Sequence, residues 1–477
     1  MRCLINEDKD NDSGTLYFNQ LDAMTAKTSA AIPVEIAANR KKTRKPAQTG
    51  PSSRAADGVA VAGEEMLDSK TAASLLGVKT QTLYAYVSRG LIRTSPRRGT
   101  QASLYHREDV EAVRLNGRGA NVFGDPTERF IRWGGGAGVL QTAITMIDAS
   151  GPRYRGKLAV DVANTRRPFE DCVELLWSGA LPSHSVTWQA PMVPEPFKAF
   201  TATLGDLARR SNTRQMLSLV AQAYGTCNGR NPENTLGAPV LAGRQLIQVL
   251  ASALGLLSPE PRYLLNETPE PLASVLARSM GLPVSDEVLR ILNVSLILSA
   301  DHELAPSTFT ARVAASAGGD IFSCVKSALG TFDGPLTGSG CDESERLLRR
   351  AESPKKYVEL LMELAQRREG IPGYNHPLYP DCDPRAVYLL KLAREAAQTS
   401  QSRLILDCID AGIAETESAP SLAVGLVAVA AALGLPEESP GAMMAIGRVS
   451  GWIAHAFEQR LAGYLVRPRT KYIGQLE

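Results

Sequence analysis

The sequence predicts an all-α protein: a large helical body behind a small module of helix, turn, helix and basic hairpin. Three observations carry this. Beyond about residue 120, long stretches such as "FEDCVELLWSGAL", "DEVLRILNVSLILSADHEL" and "MMAIGRVSGWIAHAFEQRLAGYL" repeat apolar residues at three- and four-residue spacing, the period of a helix with a buried face. Convincing alternating strands are rare, and Gly, Pro and Asn-Pro punctuate the helical stretches. The segment Leu67–Leu115 is dense in caps and turns of a different kind, with a strong positive charge.

Taken in order, residues 1–65 are rich in Ala, Ser, Thr and Asp without sustained periodicity, and read as a disordered tail. Their "NRKKTRKPAQTGPSSRAADG" reads as a solvated basic run and linker. Met66 directly precedes the first convincing domain, so it is an alternative start for translation. Residues 66–118 form the small module. Ser69 is expected to cap a helix over Lys70–Leu76, with Ala72, Ala73 and Leu76 on one face. Gly77-Val78 turns the chain, and Thr80 caps a second helix, Gln81–Ser88, in which Leu83 and Val87 are spaced i, i+4. A basic, polar hairpin follows, and "HREDVEAVRL" reads as another helix. This is the plan of a winged helix-turn-helix. From Ser69 to Arg118 the excess is six positive charges, against +2 for the whole chain, which suits counterion release from DNA. Residues 119–153 read as a linker with short helices leading into the body.

The totals narrow the function. At 477 residues the chain suits two to four domains, and its 21% charged and 44% hydrophobic residues suit a globular protein with a sizeable core. Seven dispersed cysteines without a C-x-x-C pair read as reduced thiols of a cytoplasmic protein. No run of 18 uninterrupted apolar residues occurs, so no membrane partner is expected. No His/Cys/carboxylate cluster has metal-ligand spacing, so no metal is expected.

Five histidines can be weighed singly. His106 belongs to the junction of hairpin and helix, His184 to a Pro/Ser loop, and His455 to a packed helix. His302 follows a strongly apolar helix in "SADHELAPSTFTARVAAS", where an imidazole can reach the wall of a cleft. His376 lies in "GIPGYNHPLYPDCDPRA", nine residues before Arg385, with glycine and prolines fixing the backbone. Arg448 and Arg467 add two more guanidinium forks. An imidazole polarises a carbonyl and a guanidinium clamps a carboxylate through parallel hydrogen bonds, so this set is a candidate cradle for a small dicarboxylate.

Two stretches of the chain resemble known families. "LDSKTAASLLGVKTQTLYAYVSRGLIRTSPRRGTQASLYHREDVEAV" resembles the helix-turn-helix of the MerR/excisionase class. That resemblance places Lys79, Thr80, Gln81 and Tyr84 in the major groove of DNA, with Arg97 and Arg98 on the wing. From about Tyr154 to the end, "YRGKLAVDVAN…FEDCVELLWSGALPS", "ADHELAPSTFTAR", "GPLTGSG", "IPGYNHPLYPDCDPRA" and "AIGRVSGWIAHAFEQR…VRPRTKYIG" resemble citrate synthase, in the family's order and spacing. The resemblance implies a large helical domain (154–330 and 435–477) carrying a homodimer interface, and a small domain (331–434) that closes over coenzyme A. It implies condensation of acetyl-CoA with oxaloacetate and water to citrate and CoA, the entry step of the tricarboxylic acid cycle. It implies that His302 and His376 hold oxaloacetate, His376 facing the ketone, that Arg385 and Arg448 clamp its carboxylates, and that Arg467 crosses into the partner's site.

Two positions depart from the family's pattern. The family writes the turn at 334–339 as Gly-Pro-Leu-His-Gly-Gly, and its histidine stabilises the enol of the thioester; here that position is Thr337. The family's catalytic aspartate falls on Ala423, and no carboxylate lies between Glu417 and Glu437. The nearby acids Asp342, Glu343 and Asp381 are the candidates to substitute for it. The expectation is a protein that binds an oxaloacetate-like diacid, with an acyl-CoA as co-substrate and no tightly bound cofactor. Condensation is expected to be weak or lost, and the helix-turn-helix to link the protein to DNA. An active citrate synthase, and a non-catalytic subunit paired with an active paralogue, are the competing expectations.

Overall fold

The computed structural model describes residues 66–76, 78, 80–88, 92, 94–96, 103–107, 109–110, 140–228, 238–335, 337–367, 370–379, 381–467 and 474. The expected tail 1–65, Lys79, Arg97, Arg98, the side chain of Gln81, most of the helix expected after His106 and the linker up to 139 lie outside the described residues. The described residues fall into two compact units, 66–110 and 140–474.

In the first unit, β1 (Met66–Leu67), β2 (Thr94–Pro96) and β3 (Ser103–His106) form an antiparallel sheet in the order β1-β3-β2, with Met66 opposite His106 and Thr94 opposite Tyr105. Two helices, α1 (Ser69–Leu76) and α2 (Thr80–Ser88), lie between β1 and β2 in the chain. The cap of α1 is Asp68 and not Ser69: its Oδ1 accepts from the Thr71 amide at 2.7 Å. A carboxylate at the N-cap accepts this orphan amide proton and also meets the positive end of the helix dipole. Leu67, Ala72, Ala73, Leu83, Ile92, Tyr105 and Val110 are the buried side chains among the described residues of this unit.

The second unit opens with a structure the apolar periodicity did not announce. Beginning within the stretch read as linker and entry helices, β4 (Thr145–Asp148), β5 (Gly151–Tyr154) and β6 (Lys157–Leu158) form an antiparallel meander, with Thr145 opposite Tyr154. The β4–β5 turn is fixed locally: Asp148 Oδ1 accepts from the Ser150 amide at 2.8 Å, its Oδ2 from Arg153 Nε at 2.7 Å, and Gly151 takes φ +109°. Four-residue strands are too short to show a period of two, and Pro152 in the central strand argues against a strand at all.

The helices then follow: α3 (Ala159–Asn164), α4 (Phe169–Ser178), α5 (Glu195–Thr201), α6 (Leu204–Ala208), α7 (Thr213–Cys227), α8 (Ala238–Ser252) with a 3-10 turn to Leu257, α9 (Leu272–Ser279), α10 (Asp286–Ser299), α11 (Pro306–Ser316), α12 (Ile321–Phe332), α13 (Ser339–Arg349), α14 (Pro354–Gln366), α15 (Pro384–Ala396), α16 (Ser400–Thr416), α17 (Leu422–Ala432) and α18 (Ser439–Ala462). Of these, α13 to α17 pack chiefly on one another, α15 on α17 and α14 on α16, while α18 packs against α10, α11 and α12. Ala238–Leu257 is long and apolar enough to cross a bilayer by length and composition, but 72% of its most apolar window is buried inside the helical body. Its Arg244 pairs with Glu174 at 2.7 Å.

The 24-residue α18 is buried on nearly every side. Small residues let its neighbours approach: a Cβ at Gly447 would lie 2.8 Å from the Leu296 carbonyl, and one at Gly451 would lie 2.1 Å from Asp301 Oδ1. Gly451→Ala is therefore expected to lower the unfolding free energy by about 2–3 kcal/mol, as overpacking against a fixed group does. Gly340→Ala, in α13 with nothing within 4 Å of the added carbon, is expected to raise it by about 0.5–1 kcal/mol. Urea unfolding of the two variants reads both signs.

Candidate active site

The site grows from two loops and two helices. The first loop leaves the C-terminus of α10 and runs to α11, whose Pro306 occupies the first turn and needs no amide partner. Glu303 takes φ +53° there, and the turn leaves His302 buried at its start. The second loop runs from 370 to Asp383. Asn375, at φ +53°, is tied to the segment before α17: its amide donates to the Ala419 carbonyl at 2.7 Å, its Oδ1 accepts from the Ala419 amide at 2.9 Å and its Nδ2 donates to Ser418 Oγ at 3.1 Å. This double tie places the next residue, His376. The Leu378 amide donates to His376 Nδ1 at 3.3 Å, so in the neutral ring the proton sits on Nε2.

The rings meet. His302 and His376 lie edge to face with centroids 5.1 Å apart, and His376 and Tyr379 lie 5.2 Å apart. His302 Nε2 and the Tyr379 hydroxyl share a hydrogen bond of 2.9 Å. The Arg385 guanidinium stands 5.1 Å over the Tyr379 ring. Asp383 caps α15 and holds Arg385 with both oxygens, Oδ1 to Nε at 3.0 Å and Oδ2 to Nη2 at 2.9 Å. The same Oδ2 accepts from the Leu422 amide at the start of α17, at 2.9 Å. Arg385 Nη1 is buried and has no hydrogen-bond partner among the described residues. Arg448, buried in α18, donates Nε to the Ser299 carbonyl at the end of α10, at 3.0 Å. Behind it Asp301 and His455, both fully buried, face each other at 3.3 Å.

The electrostatics follow from this layout. Burial, reinforced by Arg385 and Arg448, holds His302 well below the usual histidine range; the same causes lower His376, with Asp383 opposing. Burial alone would depress Arg385, but Asp383 and Tyr379 outweigh it and the guanidinium is held above its ordinary value. Burial pushes the Tyr379 hydroxyl up to about 12, so it stays protonated. Burial would raise Asp301, but His455 and Arg448 hold it down. Two neutral imidazoles therefore share a wall with two guanidiniums, and an unmatched buried N–H points to a missing acceptor. An anion carrying carboxylate oxygens supplies one.

His302, His376, Arg385 and Arg448 are thus brought together. Arg467 lies exposed beyond the end of α18 and is not among the groups these contacts connect. Thr337 turns away from chemistry: its hydroxyl lies 3.0, 2.9 and 2.8 Å from the carbonyls of Thr331, Phe332 and Gly334, closing the end of α12. Ala423 sits in the first turn of α17, packed against the core. Of the acids expected to substitute, Asp342 is paired with Arg214 and Glu343 with Arg346, while Asp381 is exposed. On α2, Thr80 and Tyr84 are exposed one helical turn apart. Sequence reasoning missed Tyr379, Asp383 and the Asp301–His455 pair. Only Asp383 left a signal, as an acid before a proline at a helix start.

A model of the family "Citrate synthase, C-terminal domain" matches residues 135–469. The chain belongs to the citrate synthase family. It is 27% identical over 338 residues to "Citrate synthase 2" of Bacillus subtilis, covering 66% of this chain and 88% of that one. It is 33% identical over 189 residues to the 2-methylcitrate synthase of Shewanella oneidensis, covering 39% of this chain and 50% of that one. The citrate synthase of Thermoplasma acidophilum, solved as a ternary complex with carboxymethyl coenzyme A and oxaloacetate, shares the fold: TM-score 0.60 at 21% identity, over 71% of this chain and 94% of that one. The Pyrobaculum aerophilum citrate synthase gives 0.57 at 21%, over 71% and 91%.

The depressed His302 sets a pH dependence for this citrate synthase-family protein. Below about pH 6.5 the unfolded chain takes up a proton that folded His302 refuses, so this contribution destabilises as pH falls and vanishes above about 6.5, by up to about 1.4 kcal/mol per pH unit. Urea unfolding at pH 7.5, 6.0 and 5.0 is expected to show a shallower acid loss for His302→Gln than for the parent chain.

Proposed function

We propose that this chain binds an oxaloacetate-like dicarboxylate, with an acyl-CoA as second ligand, and carries out little or no condensation. The observation that supports this is a contrast. Arg385 Nη1 is buried without an acceptor beside Arg448, His302 and His376, while position 423 holds an alanine and the hydroxyl at 337 is turned to helix-end carbonyls. Binding a diacid needs the first set. Making a carbon nucleophile from a thioester needs a carboxylate to take the α-proton and a donor for the growing oxyanion. Alanine takes no proton. The single Thr337 proton serves one of three carbonyls, and the side chain is shorter than the imidazole the family resemblance expects there. Loss of a general base costs about 10²–10⁴ in rate and loss of an oxyanion donor about 10²–10³, without simple multiplication.

The reading extends to regulation. Residues 66–106 supply two helices and an antiparallel sheet, with Thr80 and Tyr84 outward on α2. Read as a winged helix-turn-helix in a cytoplasmic protein, they bind DNA, and the diacid shifts that binding through its differential affinity for two states. A protein dimer, with itself or with an active paralogue completed by Arg467, fits the same reading.

Calorimetric titration with oxaloacetate is expected to show binding that Arg448→Met weakens by about 10–100-fold, the worth of a hydrogen bond to a charged group. Thiol release from acetyl-CoA and propionyl-CoA is expected at background level, rising at least about 10²-fold in the Thr337→His, Ala423→Asp double variant. Turnover by the parent chain at the level of its relatives would overturn the reading. In a gel-shift titration, DNA binding is expected to change with oxaloacetate; a constant affinity at every concentration would remove the regulatory part.

A further inference from the structure

The diacid-facing groups sit on two pieces of chain. His376 and Arg385 belong to the segment of α13 to α17, whose helices pack chiefly on one another, and His302 and Arg448 belong to the remainder. The chain passes between these pieces twice, at 333–338 and at 433–438. Any relative rotation at these crossovers alters the distance between the two halves of the cradle.

A buried ionic network occupies both crossovers. Arg214, 5% exposed in the first turn of α7, donates Nε to Asp333 Oδ1 at 3.0 Å and Nη1 to Asp342 Oδ2. Those two carboxylates stand on either side of the 334–338 turn, one after α12 and one in the first turn of α13. Asn212 Nδ2 adds a bond of 3.4 Å to Asp333. A Cβ at Gly441 would lie 2.5 Å from Asp342 Oδ1 and 3.1 Å from Arg214 Nη1, so the start of α18 closes over the pair. The second crossover is held from the same helix. Thr213 donates its amide and hydroxyl to Glu438 Oε2 at 2.7 and 2.6 Å, and the Glu438 amide donates to Glu345 Oε2 at 2.8 Å. Arg349 ties Glu345 at 2.7 Å to the Leu435 carbonyl at 2.8 Å. Three carboxylates thus pair with two guanidiniums, and the fourth, Glu438, is held by Thr213. Without Arg214, Asp342 loses its guanidinium in a largely buried setting and Asp333 keeps the Asn212 amide alone, and an uncompensated buried charge is costly.

We propose that Arg214 is a positioning residue for the dicarboxylate cradle: by bridging Asp333 and Asp342 it fixes the first crossover at the angle that sets His376 and Arg385 against His302 and Arg448. A bidentate guanidinium suits this because it joins two carboxylates at once, which a point-charge ammonium does less well. The ligand part rests on the dicarboxylate reading above; the crossover part does not.

The test uses the full chain with Arg214→Gln, Arg214→Lys and Asp333→Asn, the last retaining the Asp342 pair in case the first does not fold. Two readouts are taken: the calorimetric Kd for oxaloacetate, and amide hydrogen exchange of the ligand-free protein. Arg214→Gln is expected to weaken oxaloacetate binding about 3- to 30-fold, the range of coupling through a physical network. It is also expected to speed exchange over 334–349 and 435–441 while leaving 405–409 in α16 unchanged. Arg214→Lys restores part of both effects, and Asp333→Asn shows a smaller version of both. Unchanged affinity in Arg214→Gln, or exchange that rises uniformly or not at all, overturns the proposal. If the parent chain binds no oxaloacetate, the dicarboxylate reading falls on its own, and selective exchange at the crossovers alone decides whether Arg214 holds them.

Discussion

Asp383 accepts four hydrogen bonds, from the Arg385 amide, Nε and Nη2 and from the Leu422 amide. Each does a different job. The first closes the start of α15, the next two orient a guanidinium, and the last joins α15 to α17. A buried carboxylate so fully matched also balances the positive charge of Arg385, as Asp301 does that of Arg448. Two of the three guanidinium nitrogens of Arg385 are used in this way. The third, Nη1, is buried with no hydrogen-bond partner among the described residues.

The same economy governs the wall opposite. Tyr379 touches His302 through its hydroxyl, His376 through a tilted ring contact and Arg385 through its face. One aromatic ring therefore sets the spacing of three polar groups, and its high pKa keeps it a neutral donor. The close contact of α18 with α10 at Gly447, and with Ala300 and Asp301 just beyond it at Gly451, brings Arg448 Nε to the Ser299 carbonyl.

Much of this was legible beforehand, and the reasons differ by residue. The long helices show in the apolar period because each buries one face, and the motifs around His302, His376, Arg385 and Arg448 are dense in residues that a helix-packing role alone does not call for. The β4–β5–β6 meander was not legible, because two four-residue strands and a proline leave no periodic trace. The Asp301–His455 pair joins positions 154 apart, and nothing local in "GWIAHAFEQR" distinguishes a paired histidine from a packed one. Asp68 outcompeted Ser69 as a cap by one position, where either side chain obeys the same rule and only the backbone geometry decides. Tyr379 looks like an ordinary loop aromatic until its three neighbours are folded around it.

The hydroxyl of Thr337 commits position 337 to the turn at the end of α12. Its one proton is within reach of three carbonyls, and a side chain without that hydroxyl would leave the turn to find another donor. Replacing this threonine therefore changes how a helix ends as well as which group stands at position 337.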